Sequence, residues 1–239
     1  KTIAQALVEK GGDQVIIAGS KGWNHKDNFD GERLKALALI HQVDAIILCL
    51  GEDAYAETPG NTRELDLPSD QKMLAEAAIA TGKPVILVLV EGRPRFITDI
   101  EPKMHGVIMA YRTGSKAAEG LADILYGDYN PSGKLPFTYN KYAGEMLTYD
   151  YKLTEALRED PGVNAPGYNP LYPFGFGLSY TDFEYSDIKL DHTVMTGNSS
   201  LEIKITVKNT GKVAGDHAID LYTSDLFASI SPPGRRLRA

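Results

Sequence analysis

The chain has 239 residues, enough for one large domain or two unequal ones, and its 43% hydrophobic and 24% charged content excludes disordered, collagen-like and coiled-coil classes. With 25 Lys and Arg against 32 Asp and Glu the formal charge is −7, and no basic block could neutralise phosphates, so nucleic acid is not an expected partner. The longest apolar run, 84–90, falls far short of the ~20 residues that cross a bilayer, so no membrane span is expected.

In chain order, a helix is predicted over 2–9, with Gly11-Gly12 as its stop signal. Apolar, β-branched-rich runs at 14–18, 45–50, 85–90 and 107–110 read as strands, continuous rather than alternating, as in a sheet covered on both faces. The single cysteine, Cys49, falls inside the second run and reads as a small buried hydrophobe. Helical patterns lie between the strands. The first, 32–42, carries Leu34, Leu37, Leu39 and Ile40; the second, 69–80, opens on Ser69 as a cap; the third, 116–126, follows Ser115 as another. Alternating strands and helices make a mostly parallel sheet, and a chain that begins with a helix leaves that sheet without its first strand. The terminus shows no signal-peptide pattern, and the compartment is not read from it.

After Gly127 the helical period disappears into a Tyr-, Pro- and Gly-rich stretch reaching Leu178, too long for an ordinary connection. Its part 149–172 reads equally as a wall of an outer subsite and as a surface wrap. Beyond it the signal is all-β: 183–190, then 201–207 in strict alternation as a half-buried strand, then 218–222, with turn clusters at 196–200 and 209–211. These strands suggest a small sandwich, but residues 181–239 fall short of the ~100 that such a fold needs. The expected architecture is therefore α/β over 1–180, followed by a partial β-sandwich over 181–239.

In open parallel sheets ligands bind beyond the carboxyl ends of the strands, which directs attention to the loop after Leu50. It reads Gly51-Glu52-Asp53-Ala54-Tyr55-Ala56-Glu57-Thr58-Pro59-Gly60-Asn61-Thr62-Arg63-Glu64. A carboxylate there could protonate a leaving group if its surroundings raised its pKa; spacing alone also allows a solvated acidic loop. The five histidines show no ligand spacing and thiolate clusters are impossible, so no metal is expected. Neither Gly11-Gly12 nor Gly51 forms a phosphate loop or dinucleotide fingerprint, and no cofactor is implied. Ser69, Ser115 and Ser132 lack a nucleophile elbow. Trp23 reads as a packing lid or as a platform for a sugar ring.

Three stretches carry a resemblance. They are Gly51-Glu52 to Glu57-Thr58-Pro59-Gly60 with Leu67-Pro68 and Gln71; Tyr129-Asn130-Pro131-Ser132-Gly133-Lys134-Leu135-Pro136; and Tyr172-Pro173-Phe174-Gly175-Phe176-Gly177-Leu178-Ser179-Tyr180. Together they resemble the C-terminal half of glycoside hydrolase family 3 β-glucosidases of the exo-glucan hydrolase-like branch. Val207-Lys208-Asn209-Thr210-Gly211, Leu221-Tyr222-Thr223-Ser224-Asp225 and Ser231-Pro232-Pro233 resemble the fibronectin type III-like domain that follows in many members.

The resemblance implies a (β/α)8 barrel carrying an Asp nucleophile, then a six-stranded α/β sandwich carrying the acid/base Glu in a Gly-Glu-x-x-Tyr-x-Glu-Thr-x-Gly loop. The second Glu of that loop is Glu57 here. It further implies hydrolysis of terminal β-linked glucose from oligosaccharides with retention, by two carboxyl groups ~5 to 5.5 Å apart. The nucleophile would belong to the barrel, absent from this sequence, so the chain alone is expected to be inactive; a periplasmic or secreted location is also implied. Two departures stand out: Asn61-Thr62 replaces the Asp-Arg of many members, and Thr113-Gly114 replaces Pro-Gly. The rival reading is a non-catalytic carbohydrate-binding or structural module.

Overall fold

The computed structural model describes residues 1–18, 40–145, 147, 149, 169–230 and 232–239. The expected helix 32–42, apart from residues 40–42, lies outside the described residues, as do Trp23, His25 and most of 149–172.

Helix α1, Ile3–Gly11, starts where Thr2 Oγ1 accepts the Gln5 N–H at 3.2 Å and Gln5 Oε1 accepts the Thr2 N–H at 2.9 Å. This reciprocal pair satisfies two donors that the first turn would otherwise leave open. Gly12, at φ 55°, ends the helix in a conformation that a side chain would resist. A single 3₁₀ turn follows over Gly12–Gln14, and the expected strand 14–18 does not form. A strand exists only in a ladder, and this run finds no pairing partner among the described residues. Val15 packs instead against the contact between α1 and a later helix, while Ile16 and Ile17 stay exposed.

Strands β1 (Ile46–Gly51), β2 (Val85–Val90) and β3 (Gly106–Met109) form a parallel sheet in the order β1-β2-β3. Their boundaries lie within a residue of expectation. Ile46 pairs with Val85 and Gly51 with Val90; Ile86 pairs with Gly106 and Leu89 with Met109. The central strand is covered on both faces, with Val85, Leu87, Val88 and Leu89 all buried. On β1 the described residues cover only one face: Ile46, Leu48 and Leu50 point into the core, and Ile47 and Cys49 point out of it. Cys49 is thus exposed, which corrects the expectation of a buried cysteine; the alternation of the strand, not the apolarity of the run, decides its side.

Helix α2 (Ser69–Ala80) lays Ala75 and Ala78 on that core. Its N-cap is Pro68 rather than Ser69, and Ser69 is already its first helical residue. Helix α3 (Ala117–Tyr126) likewise starts after Lys116, one residue past the expected Ser115 cap, and ends at Gly127 in the left-handed region, φ 80°. Helices α1 and α3 share a small cluster of Ala6, Leu7, Ala118 and Ala122, bordered by ion pairs of Lys1 with Glu9 and Glu119 and of Lys10 with Asp123 and Asp128.

The described parts of 128–180 fold back on themselves. Leu135 N–H donates to Phe176 O at 2.9 Å, Gly175 N–H to Leu135 O at 2.8 Å and Tyr139 N–H to Tyr172 O at 2.8 Å. Two of the sequence motifs therefore face each other. Asn130 Oδ1 accepts from Ser179 Oγ and the Tyr180 N–H, 2.9 and 2.8 Å away. At Gly177 a Cβ would stand 2.2 Å from the carbonyl oxygen of Gly133, so only glycine allows this approach.

Beyond residue 180, β4 (Phe183–Leu190) pairs antiparallel with β5 (Ile203–Asn209), the register shifting between Ser186 and Lys189. A short ladder joins β6 (Tyr222–Thr223) to β7 (Arg236–Leu237). Strand β5 was expected to be half-buried, yet Ile203 and Ile205 are exposed, because the described residues place no second sheet over it. Of the expected strand 218–222, only its last residue is extended into a ladder.

Candidate functional site

Parallel pairing puts the carboxyl ends of all three strands on one side, and each sends a charged residue into the same place. Glu52 follows β1, Glu91 with Arg93 and Arg95 follows β2, and Arg112 lies three residues beyond β3. The Glu52 side chain is only 2% exposed. Its Oε1 receives Arg93 Nε at 2.9 Å and Arg95 Nε at 3.0 Å, with one terminal nitrogen of each guanidinium at 2.8 and 2.5 Å. Its Oε2 receives the backbone N–H of Gly92 and of Arg93 at 3.0 and 3.3 Å and the Tyr55 hydroxyl at 3.2 Å, with Arg112 Nη2 at 3.6 Å. Burial by itself would push this carboxyl up, but the Gly92 N–H and the Arg95 and Arg93 guanidinium groups outweigh it and hold it down to about 2. Glu52 is a fixed anion and cannot serve as a proton donor near neutral pH.

Glu91 has the opposite character. It is completely buried; Oε1 accepts the Arg95 N–H at 3.1 Å and lies 3.4 Å from the Tyr139 hydroxyl, while Oε2 has no hydrogen-bond partner among the described residues. Burial lifts its pKa to about 7, opposed by the Arg95 N–H and reinforced by the charge of Glu52. Two carboxyls with separated pKa values in one cluster are the usual mark of an acid/base pair, but access and charge decide against it. Glu91 does not reach the surface, and Glu52, although it borders a small cavity, is held as an anion by the arginines, so neither can give a proton to a saccharide.

Glu57, the residue expected to carry the chemistry, is exposed, and its carboxylate makes no hydrogen bond or ion pair among the described residues. Its backbone is at φ 49°, one of three non-glycine residues with positive φ among the described residues, beside Tyr111 at the same end of the sheet and Asp187 in β4. Such a conformation costs on the order of 1–3 kcal/mol and persists only where the surroundings impose it. The surroundings here are specific. Arg93 binds Glu52 and also donates to Gly60 O, so one side chain ties both ends of the segment containing Glu57. The guanidinium groups of Arg93 and Arg112 lie over the Tyr55 ring, 4.3 and 4.4 Å from its centroid. Arg112 Nη2 donates to Asp53 O at 2.6 Å, and Arg95 to Glu64 O and Asp66 O at 3.0 and 3.2 Å. Gln71 on α2 closes the base of the loop, its amide pairing with both N–H and C=O of Gly51 at 2.9 Å.

A cavity of about 270 Å³ opens between residues 51–55, 60–62, Pro68, Gln71, Arg93 and Arg95. Glu57 does not line it. Of the residues that depart from the motif, Thr62 bonds within its own loop, its hydroxyl donating to Glu64 O at 2.9 Å, and Gly114 supplies a turn at φ 75°. The arginines and Glu91 were not anticipated from sequence. The rule that pointed to the end of β1 applies equally to Val90-Glu91-Gly92-Arg93 and Ala110-Tyr111-Arg112, where the signal was present.

Residues 1–180 match the family model described as Glycosyl hydrolase family 3 C-terminal domain. The chain belongs to glycosyl hydrolase family 3. This family 3 chain is 35% identical over 240 residues to a β-xylosidase of Formosa agariphila, covering 99% of the chain and 33% of that relative. It is 33% identical to a periplasmic β-glucosidase of Salmonella typhimurium over 85% of the chain and 28% of that protein. Among solved structures, a β-glucosidase from Listeria innocua in complex with gluconolactone superposes with TM-score 0.80 at 29% identity, over 91% of the chain and 31% of the other. The family 3 chain thus spans about a third of the length of the proteins it matches. No helix of the described residues is long and apolar enough to cross a membrane.

Proposed function

We propose that this chain is the C-terminal portion of a retaining β-glucosidase that removes terminal β-linked glucose from oligosaccharides, and that Glu57 is its general acid/base. In this reading residues 1–180 form the α/β sandwich and 181–239 the beginning of a fibronectin type III-like domain. A (β/α)8 barrel of the same parent chain supplies an Asp nucleophile. The observation that carries the proposal is the sorting of the glutamates at this end of the sheet: Glu52 and Glu91 are buried, Glu57 and Glu64 are exposed, and of the exposed pair only Glu57 is held at positive φ, within the segment that Arg93 ties at both ends.

In the first step the Asp carboxylate attacks the anomeric carbon while the Glu57 carboxyl gives its proton to the glycosidic oxygen; the C–O bond breaks and a glycosyl ester forms. In the second, the Glu57 carboxylate takes a proton from water, whose oxygen displaces the Asp and releases the sugar. The periplasmic relative supports action in the periplasm or outside the cell, and the β-xylosidase relative supports a pyranose site open to related sugars.

The test is Glu57→Ala in the full-length enzyme. Loss of general acid catalysis should lower kcat/KM on a cello-oligosaccharide by about 10²- to 10⁴-fold, while a dinitrophenyl glucoside, whose leaving group needs no proton, keeps most of its rate in this step. Azide should restore turnover and yield a β-glucosyl azide. Full activity on the oligosaccharide would refute the assignment. The 239-residue chain by itself should hydrolyse neither substrate.

A further inference from the structure

We infer that Arg93 is a positioning residue for Glu57, acting as a staple across the segment that presents it; the inference rests on the acid/base role proposed above. One guanidinium holds Glu52, five residues before Glu57, and the carbonyl of Gly60, three residues after it. Its face also covers the Tyr55 ring at 4.3 Å. The chain between these anchors has little slack. Gly60 stands so close to Tyr55 that a Cβ there would lie 2.2 Å from the ring, and Glu57 itself is held at positive φ.

A lysine cannot reproduce this geometry. Its ammonium is a single point on a flexible stem, whereas the planar fork offers separate donors in two directions. Lysine can keep the charge beside Glu52 or reach Gly60 O, but cannot span both. Arg95 and Arg112 would still neutralise Glu52 in such a variant, so the loss falls on the geometry of the loop rather than on the buried anion. A proton donor displaced by about 1 Å loses on the order of 10²-fold in rate, and only where the proton matters.

The experiment is Arg93→Lys in the full-length enzyme, with kcat/KM measured on cellobiose and on a dinitrophenyl β-glucoside and with Glu57→Ala run in parallel. We expect a loss of about 10- to 100-fold on cellobiose and less than about 3-fold on the dinitrophenyl substrate, the same leaving-group signature as Glu57→Ala but smaller. Equal losses on both substrates, or no loss on either, would overturn the inference. Should Arg93→Lys fail to fold, Tyr55→Leu, which removes the ring under the guanidinium but none of the charges, is read by the same two substrates and the same criterion. If Glu57→Ala shows its signature and the loop variants do not, the staple is wrong and the acid/base assignment stands; if Glu57→Ala itself keeps the parent's leaving-group dependence, both fall.

Discussion

Replacing Glu91 with glutamine should change how the stability of the fold depends on pH. The amide keeps an oxygen to accept the Arg95 N–H but removes the ionisation of a carboxyl whose Oε2 has no hydrogen-bond partner among the described residues. In the native chain this group titrates at about 7, against 4.5 for an ordinary glutamate, chiefly because burial disfavours its charged form. The folded state therefore holds the Glu91 proton more tightly than the unfolded chain. Stability from this group is fully present below the unfolded value and is lost as pH rises through the folded one. At about 1.4 kcal/mol per pH unit, the separation is worth about 3 kcal/mol. Measured by urea denaturation at a series of pH values, the unfolding free energy of Glu91→Gln relative to the parent should move in favour of the variant by about this amount between about pH 4.5 and pH 8.5. The corresponding relative change in Tm is roughly 6–12 °C for a chain of this length. A variant that merely parallels the parent across that range would refute the reasoning, since it would mean that Glu91 is neutral or solvated in both states throughout.

At Gly177, alanine would force a Cβ to within 2.2 Å of the Gly133 carbonyl; we expect a loss of about 1–3 kcal/mol by denaturant titration, as for other overpacked sites, and an unchanged midpoint would show that the two motif segments do not meet. Thr2→Ala removes the capping box of α1 and should cost about 1 kcal/mol, with faster amide exchange in the first turn of α1 as a local readout.

How much of this was legible beforehand differs by element. The three strands of the sheet were, because Val85–Val90 and its neighbours are short apolar, β-branched-rich runs spaced by helical patterns, as a parallel sheet requires. The failure at 14–18 shows what such a run lacks: apolarity marks a segment to be covered, but only a neighbouring strand makes it a strand. The caps failed differently. Ser69 and Ser115 are residues of the right type one position from the right place, and the backbone at Pro68 and Lys116, not the side chain, sets where each helix begins. At the site, the proposal for Glu57 comes from its motif. The sealed state of Glu52 could not be read that way, because it depends on arginines that lie about 40 residues and more away in sequence and arrive only when the strands align; that of Glu91 depends on the covering of the central strand and on Tyr139, 48 residues away.

The register of β1 against β2 has one more consequence. Gly51 sits opposite Val90, so the next residue on each strand, Glu52 and Glu91, leaves the ladder side by side, and two acids are forced together by the topology alone. Each remedy in the structure answers that crowding: guanidinium groups gather around one carboxyl, and a proton is favoured on the other. Such an arrangement can only drift in concert. Losing the arginines together would strand an anion in the interior, and losing Glu52 would leave three clustered cations without their anion, so any route to a different chemistry at this corner of the sheet must change several positions at once.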